Sequence, residues 1–142
     1  MTPDQINAAA EALFQAEATG VQMGMLSLTY PDITLDDAYA VQAALVALKR
    51  AKGVKVVGWK IGLTSRAMQQ ALNITTPDSG VLLEDMVFAS GSTVPKGRFI
   101  QPRIEAEIAF VMQADLAGAH VTRADVVAAT GAVVPSLEIL DT

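Results

Sequence analysis

The sequence predicts an α+β fold in which a helical N-terminal part, residues 1–53, precedes a sheet-rich part, residues 54–142. Residues 1–53 hold two Ala-rich stretches opened by helix-capping signals. From Val54 the pattern changes to short β-branched runs separated by turn residues. A hydrophobic fraction of 51% over 142 residues supplies a packed core and excludes a disordered chain.

The first helix is expected over residues 3–18, with Thr2 as N-cap, Pro3 at the first helical position, Gln5 completing a capping box and Gly20 ending it. A second helix runs from about Leu35 to Lys52, capped by Thr34 and followed by Gly53, with Ala38, Val41, Leu45 and Leu48 as its apolar stripe. VKVVGWKIG reads as the first strand, TSRAMQQAL as a short helix opened by Thr64 or Ser65, and TPDSG as a turn. VLLEDMVF is apolar and fits no single element. RIEAEIAFVM reads as a strand, TRADVVAAT as a helix capped by Thr122 and Asp125 and ended by Gly131, and VVPSLEILD as the last strand. Pro135 there marks a bulge or an edge.

Composition narrows the chemistry. The absence of cysteine removes disulfides, thiolate zinc sites and cysteine nucleophiles. The single histidine, His120, cannot build a histidine-based site and reads as a surface residue. A net charge of −5 with scattered Lys and Arg argues against a nucleic-acid partner. No apolar stretch reaches the length of a membrane span and the N-terminus lacks a basic-then-apolar order, so no membrane partner and a cytoplasmic location are expected.

Carboxylates remain. Glu105 and Glu107 share one strand face with Ala109 and Val111, while Ile104, Ala106, Ile108 and Phe110 take the other. Two acidic residues at that spacing are most often a solvated face. Here both this run and the one around Glu138 are apolar and are expected to be buried. Three carboxylates gathered in such a setting would repel one another or take up protons unless a cation lay between them, and oxygen-only ligation suits Mg²⁺ or Mn²⁺ with positions left open.

Lys60 is read on a strand face with Val54, Val56 and Gly58, as a strand-end lysine or as a charge partner and proton carrier. Asp78 in TPDSG is a turn residue or the partner of Lys60. Gly58 and Gly62 allow close backbone approach. Trp59 faces away from Lys60, as core or a subunit contact, and Met23, Met25 and Met112 fit ordinary packing.

Through GWKIGLTSRAMQ, PDSGVLLEDMVF, RFIQPRIEAEIAFVM and VVPSLEILD, with YPDITLDDAYAVQ before the second helix, the chain resembles the hydratase/decarboxylase branch of the fumarylacetoacetase superfamily. The resemblance implies a mixed β-roll core, of which residues 54–142 are the first part, in members about twice as long. It implies Glu105, Glu107 and Glu138 as ligands of Mg²⁺ or Mn²⁺ and Lys60 and Asp78 as an acid–base pair; a sheet cut short exposes an edge and an apolar face, so a homo-oligomer is expected. The implied reaction is addition of water to a small 2-hydroxydienoate or 2-oxo-enoate, giving a 4-hydroxy-2-oxo acid. Decarboxylation of a vinylogous 2-oxo diacid is the alternative, and a truncated chain that only binds metal or a partner is the other.

Overall fold

In the computed structural model, which describes residues 1–141, chain packing divides between Arg98 and Phe99 into two units. The first unit is organised by two capped helices. In α1 (Pro3–Thr19) the Thr2 hydroxyl accepts from the Gln5 amide at 3.3 Å and the Gln5 side chain accepts from the Thr2 amide at 2.8 Å. Gly20 ends the helix at φ 66°, a conformation that glycine adopts without a Cβ penalty. A short helix, α2 (Leu26–Thr29), has no side-chain cap and gave no sequence signal. α3 (Leu35–Ala51) is opened by Thr34 and Asp37 in the same reciprocal way.

α1 and α3 pack through Ala9, Ala10 and Val41, all buried, with Ile6, Leu13, Leu45 and Leu48 closing round them. Two alanines on the contact face let the helix backbones approach closely. Ala38 of the expected stripe is exposed, so the stripe is centred on Val41. Lys49, also on α3, is only 4% exposed. Its ammonium meets Glu17 at 2.8 Å and Asp85 at 2.9 Å, which offsets the desolvation that burial imposes on a cation.

β1 (Val56–Gly62) and β2 (Asp78–Leu83) form an antiparallel pair whose register slips between Val56 and Gly58. That bulge breaks the alternation, so the face of Lys60 and Gly58 does not carry on simply to Val56 and Val54. Between the strands, α4 (Arg66–Leu72) is capped by the Ser65 hydroxyl, not Thr64, and closes on Asn73 in the left-handed region. The expected TPDSG turn is corrected: Asp78 is the first residue of β2, and Glu84–Met86 forms a single 3-10 turn after it. Pairing with β1 overrides the local turn preference of Asp-Ser-Gly.

In the second unit β3 (Arg103–Met112) and β4 (Thr130–Leu140) form an antiparallel ribbon joined through α5 (Arg123–Ala129). Thr122 and Asp125 cap α5 reciprocally. The strand begins at Thr130, so Gly131 lies inside β4 instead of ending the helix. A Cβ there would sit 3.2 Å from the Gln113 side chain. Pro135 pairs opposite Ile108 in regular register on a strand that, among the described residues, pairs only with β3, so it marks an edge and not a bulge, and the slip is at Val111/Met112. The Asp141 carboxylate accepts from the Ile100 and Gln101 amides, tying the open end of the ribbon.

The expected burial of both runs is corrected. Ile104, Ile108, Phe110, Val133 and Leu137 are 56–70% exposed, because a two-stranded ribbon covers neither of its own faces. Met25 and Met112 are likewise exposed and not packing residues, whereas His120 lies on the surface as read. Among the described residues no helix is long and apolar enough to cross a membrane.

The Met1 ammonium donates to Asp37 at 2.7 Å, and with the Thr34 amide and hydroxyl it holds the Asp37 carboxyl at about 2, below its ordinary 3.8. A depressed folded-state value stabilises fully above about pH 4 and is lost as pH falls toward about 2. Asp37→Asn is therefore expected to lower the thermal midpoint at neutral pH, with the gap to the parent chain closing through that window. A gap independent of pH in thermal unfolding would refute the role of this charge.

Candidate functional site

Register decides which side chains share a face in the β3–β4 ribbon. Glu105 stands directly opposite Glu138, Glu107 opposite Ser136 and Ala109 opposite Val134. Directly opposed residues of an antiparallel pair project to the same side, so the three glutamates and Ser136 form one patch. Ile104, Ala106, Ile108 and Phe110, with Ile139, Leu137, Pro135 and Val133, occupy the other face. One carboxylate oxygen from each of Glu105, Glu107 and Glu138 lies within 4.8 Å of the other two. Glu105 is exposed, and Glu107 and Glu138 are half-buried.

These residues fit a hard divalent cation. Oxygens on one ion lie at most about 4 Å apart at the roughly 2.0–2.1 Å bonds of Mg²⁺ and about 5 Å apart at the roughly 2.3–2.6 Å bonds of Ca²⁺, so oxygens gathered within 4.8 Å are on the scale of such a site. The donors are all carboxylate oxygens, the chemistry that Mg²⁺, Mn²⁺ and Ca²⁺ prefer. The reason for a cation differs from the one sequence supplied. Like charges are unfavourable here because Glu105 and Glu138 face each other across the ladder, and not because the strands are buried.

The second arrangement belongs to the first unit. Lys60 pairs opposite Gly80, and Gly62 opposite Asp78. These pairs are consecutive on one face, so Lys60 and Asp78 take diagonal corners of a rectangle and glycines take the other two. A Cβ on Gly62 would run into the Asp78 carboxylate, whose Cγ is 3.2 Å from that point. Asp78 is exposed and Lys60 half-buried. Trp59 pairs opposite Val81 on the other face, as expected, but is 63% exposed and lines an open groove of about 380 Å³ with Tyr39 and Gln42 of α3.

Tyr39 and Gln42 were not singled out from sequence. The Ser79 amide donates to the Tyr39 hydroxyl and the Gln42 side chain donates to the Ser79 carbonyl, each at 3.1 Å. The signal available was their spacing of three on a capped helix, which puts two polar side chains on one face.

No family model matches the chain. It is 52% identical to 2-oxo-hept-4-ene-1,7-dioate hydratase of Escherichia coli over 93% of its own length and 49% of that protein. It is 44% identical to 2-keto-4-pentenoate hydratase of Paraburkholderia xenovorans (strain LB400) over 99% of its length and 52% of that protein. Among solved structures, 4-oxalocrotonate decarboxylase from Pseudomonas putida G7, complexed with magnesium and adipate, superposes with a TM-score of 0.92 at 37% identity, covering 99% of this chain and 54% of that one. The chain spans about half the length of the curated relatives it matches.

Gly62→Ala tests the diagonal. The aspartate side chain can rotate away, so stability should change by less than about 1 kcal/mol. The carboxylate itself must move, shifting the Asp78 side-chain carbon resonance. An unchanged resonance in a folded variant would show that Gly62 does not set the Asp78 position.

Proposed function

The chain belongs to the hydratase/decarboxylase family of 2-oxo acid enzymes, and from that premise we propose that it serves a cytoplasmic, divalent-metal-dependent hydro-lyase. The reaction is addition of water to a 2-hydroxydienoate or 2-oxo-enoate from aromatic-compound catabolism, giving a 4-hydroxy-2-oxo acid. The observation that carries this reading is the carboxylate patch, with Glu105, Glu107 and Glu138 gathered on one ribbon face. We assign these residues to a Mg²⁺ or Mn²⁺ ion and Lys60 and Asp78 to proton transfer. The same reading takes residues 54–142 as the first part of a mixed β-roll core.

When bound, the ion supplies Lewis-acid polarisation at the 2-oxo end of the substrate. The residues supply the rest. Ketonisation of the dienol removes the proton from its C2 hydroxyl and places one on C5, leaving a double bond between C3 and C4. Water then adds with its oxygen at C4 and a proton at C3. The Asp78 carboxylate is suited to accept a proton and the Lys60 ammonium to return one, and their diagonal placement keeps both on one side of the strand pair. Removing either should cost about 100-fold or more in turnover.

Hydration is preferred because two hydratases share 52% and 44% of aligned residues with this chain, against 40% for a 4-oxalocrotonate decarboxylase compared in the same way. The decarboxylase likeness at TM-score 0.92 keeps loss of CO₂ from a vinylogous 2-oxo diacid as a second reading. Following the dienol absorbance together with CO₂ release separates them.

Each of Glu105→Gln, Glu107→Gln and Glu138→Gln is expected to weaken Mg²⁺ binding in calorimetry by more than the roughly 10–100-fold typical of groups that only support a ligand. Without metal, Glu105→Gln should raise the thermal midpoint, since it relieves opposed charges. Unchanged Mg²⁺ affinity and turnover in all three variants would overturn the assignment.

We also propose a homo-oligomer, supported by the exposed apolar face of Ile104, Ile108, Phe110 and Leu137. Sedimentation should show association, and a monodisperse monomer would exclude it.

A further inference from the structure

We infer that Tyr39 and Gln42 are positioning residues for Asp78, acting through the backbone of Ser79. The inference rests on the assignment of Asp78 to proton transfer. Among the described residues, β2 pairs only with β1, so one of its edges lacks a strand partner. A strand edge presents alternate amides and carbonyls to whatever lies beside it. At Ser79 both groups are taken by α3, the amide by the Tyr39 hydroxyl and the carbonyl by the Gln42 amide, at 3.1 Å each and partly shielded from water. Two side chains three residues apart on one helix face thus stand in for the acceptor and donor of a missing strand.

The consequence falls on the preceding residue. The Ser79 amide belongs to the peptide unit that joins it to Asp78, so holding that amide fixes the orientation of the plane leaving the Asp78 Cα and, with it, the direction of the Asp78 side chain. Asp78 is the first residue of β2, where the ladder ends and strand pairing restrains it from one side only. Gly62 provides the floor against which the carboxylate rests, and the α3 contacts hold the peptide above it.

The test uses Tyr39→Phe and Gln42→Met, each removing one hydrogen bond at nearly constant volume, alone and combined with Asp78→Asn. Each single variant should speed exchange of the Ser79 amide, while Mg²⁺ affinity and KM for a 2-hydroxydienoate stay within about twofold. Each should lower kcat by about 10- to 100-fold, as expected of a misplaced proton-transfer group. In the Asp78→Asn background the same substitutions should have no further effect on kcat, an outcome that general loss of structure would not produce. Equal losses in both backgrounds, or an unchanged kcat with faster Ser79 exchange, would overturn the inference and leave Asp78 in its role. An Asp78→Asn protein that keeps full turnover would instead overturn the acid–base assignment, and this inference with it.

Discussion

Antiparallel pairing of β3 with β4 forces Glu105 and Glu138 to face each other, and most of what the second unit can do follows from that register. The register runs unbroken over nine pairs, from Arg103 opposite Leu140 to Val111 opposite Ala132, before the slip that sets Met112 opposite Thr130. A slip of one residue would carry the side chains of one strand to the opposite face and mix carboxylates with Ile104, Ile108 and Phe110. The Asp141 carboxylate on the Ile100 and Gln101 amides ties one end, and the Gln113 amide on the Ala129 carbonyl ties the other. Opposed like charges are unfavourable in themselves. They persist because the backbone ladder and the ties at its two ends hold this register, and a cation shared by the carboxylates would relieve them.

The first unit places its charges differently. Lys49 is buried and is answered by Glu17 and Asp85, so its charge is absorbed within the fold. Lys60 and Asp78 lie on an open strand face with glycines at the other two corners. The glycines remove side chains that would otherwise fill the space between them. Burial between two carboxylates makes Lys49 a structural cation, whereas a half-buried Lys60 and an exposed Asp78 suit the proton transfer proposed for them.

Helix boundaries were legible because capping is local. Thr2 with Gln5, Thr34 with Asp37 and Thr122 with Asp125 each lie within one turn, and each forms the reciprocal pair that its spacing specifies. β2 was misread because Pro-Asp-Ser-Gly is turn-like by itself, and only pairing with Gly62 and Ile61, distant in sequence, makes it a strand. Periodicity stated correctly which residues flank Glu105 and Glu107 on each face, but it carries no information on whether a face is covered. The burial of both runs was therefore overestimated. The gathering of Glu138 with the pair depends on cross-strand register, which spacing along one strand cannot supply. Tyr39 and Gln42 escaped notice for the same reason, since their partner is backbone some 40 residues away.

Ligands and proton carriers place different demands on a strand. A metal ligand must keep its distance to other ligands, and the interior of a long ladder does this without further help. The ligands proposed here, Glu105, Glu107 and Glu138, each have paired residues on both sides along their strands. The proton carrier proposed at Asp78 must be reachable, which favours the end of a strand, where Asp78 sits and where the ladder restrains it from one side only. Accessibility and fixed geometry then conflict. Hydrogen bonds from a neighbouring helix to the next peptide resolve the conflict, because they restrain the backbone while leaving the carboxylate exposed.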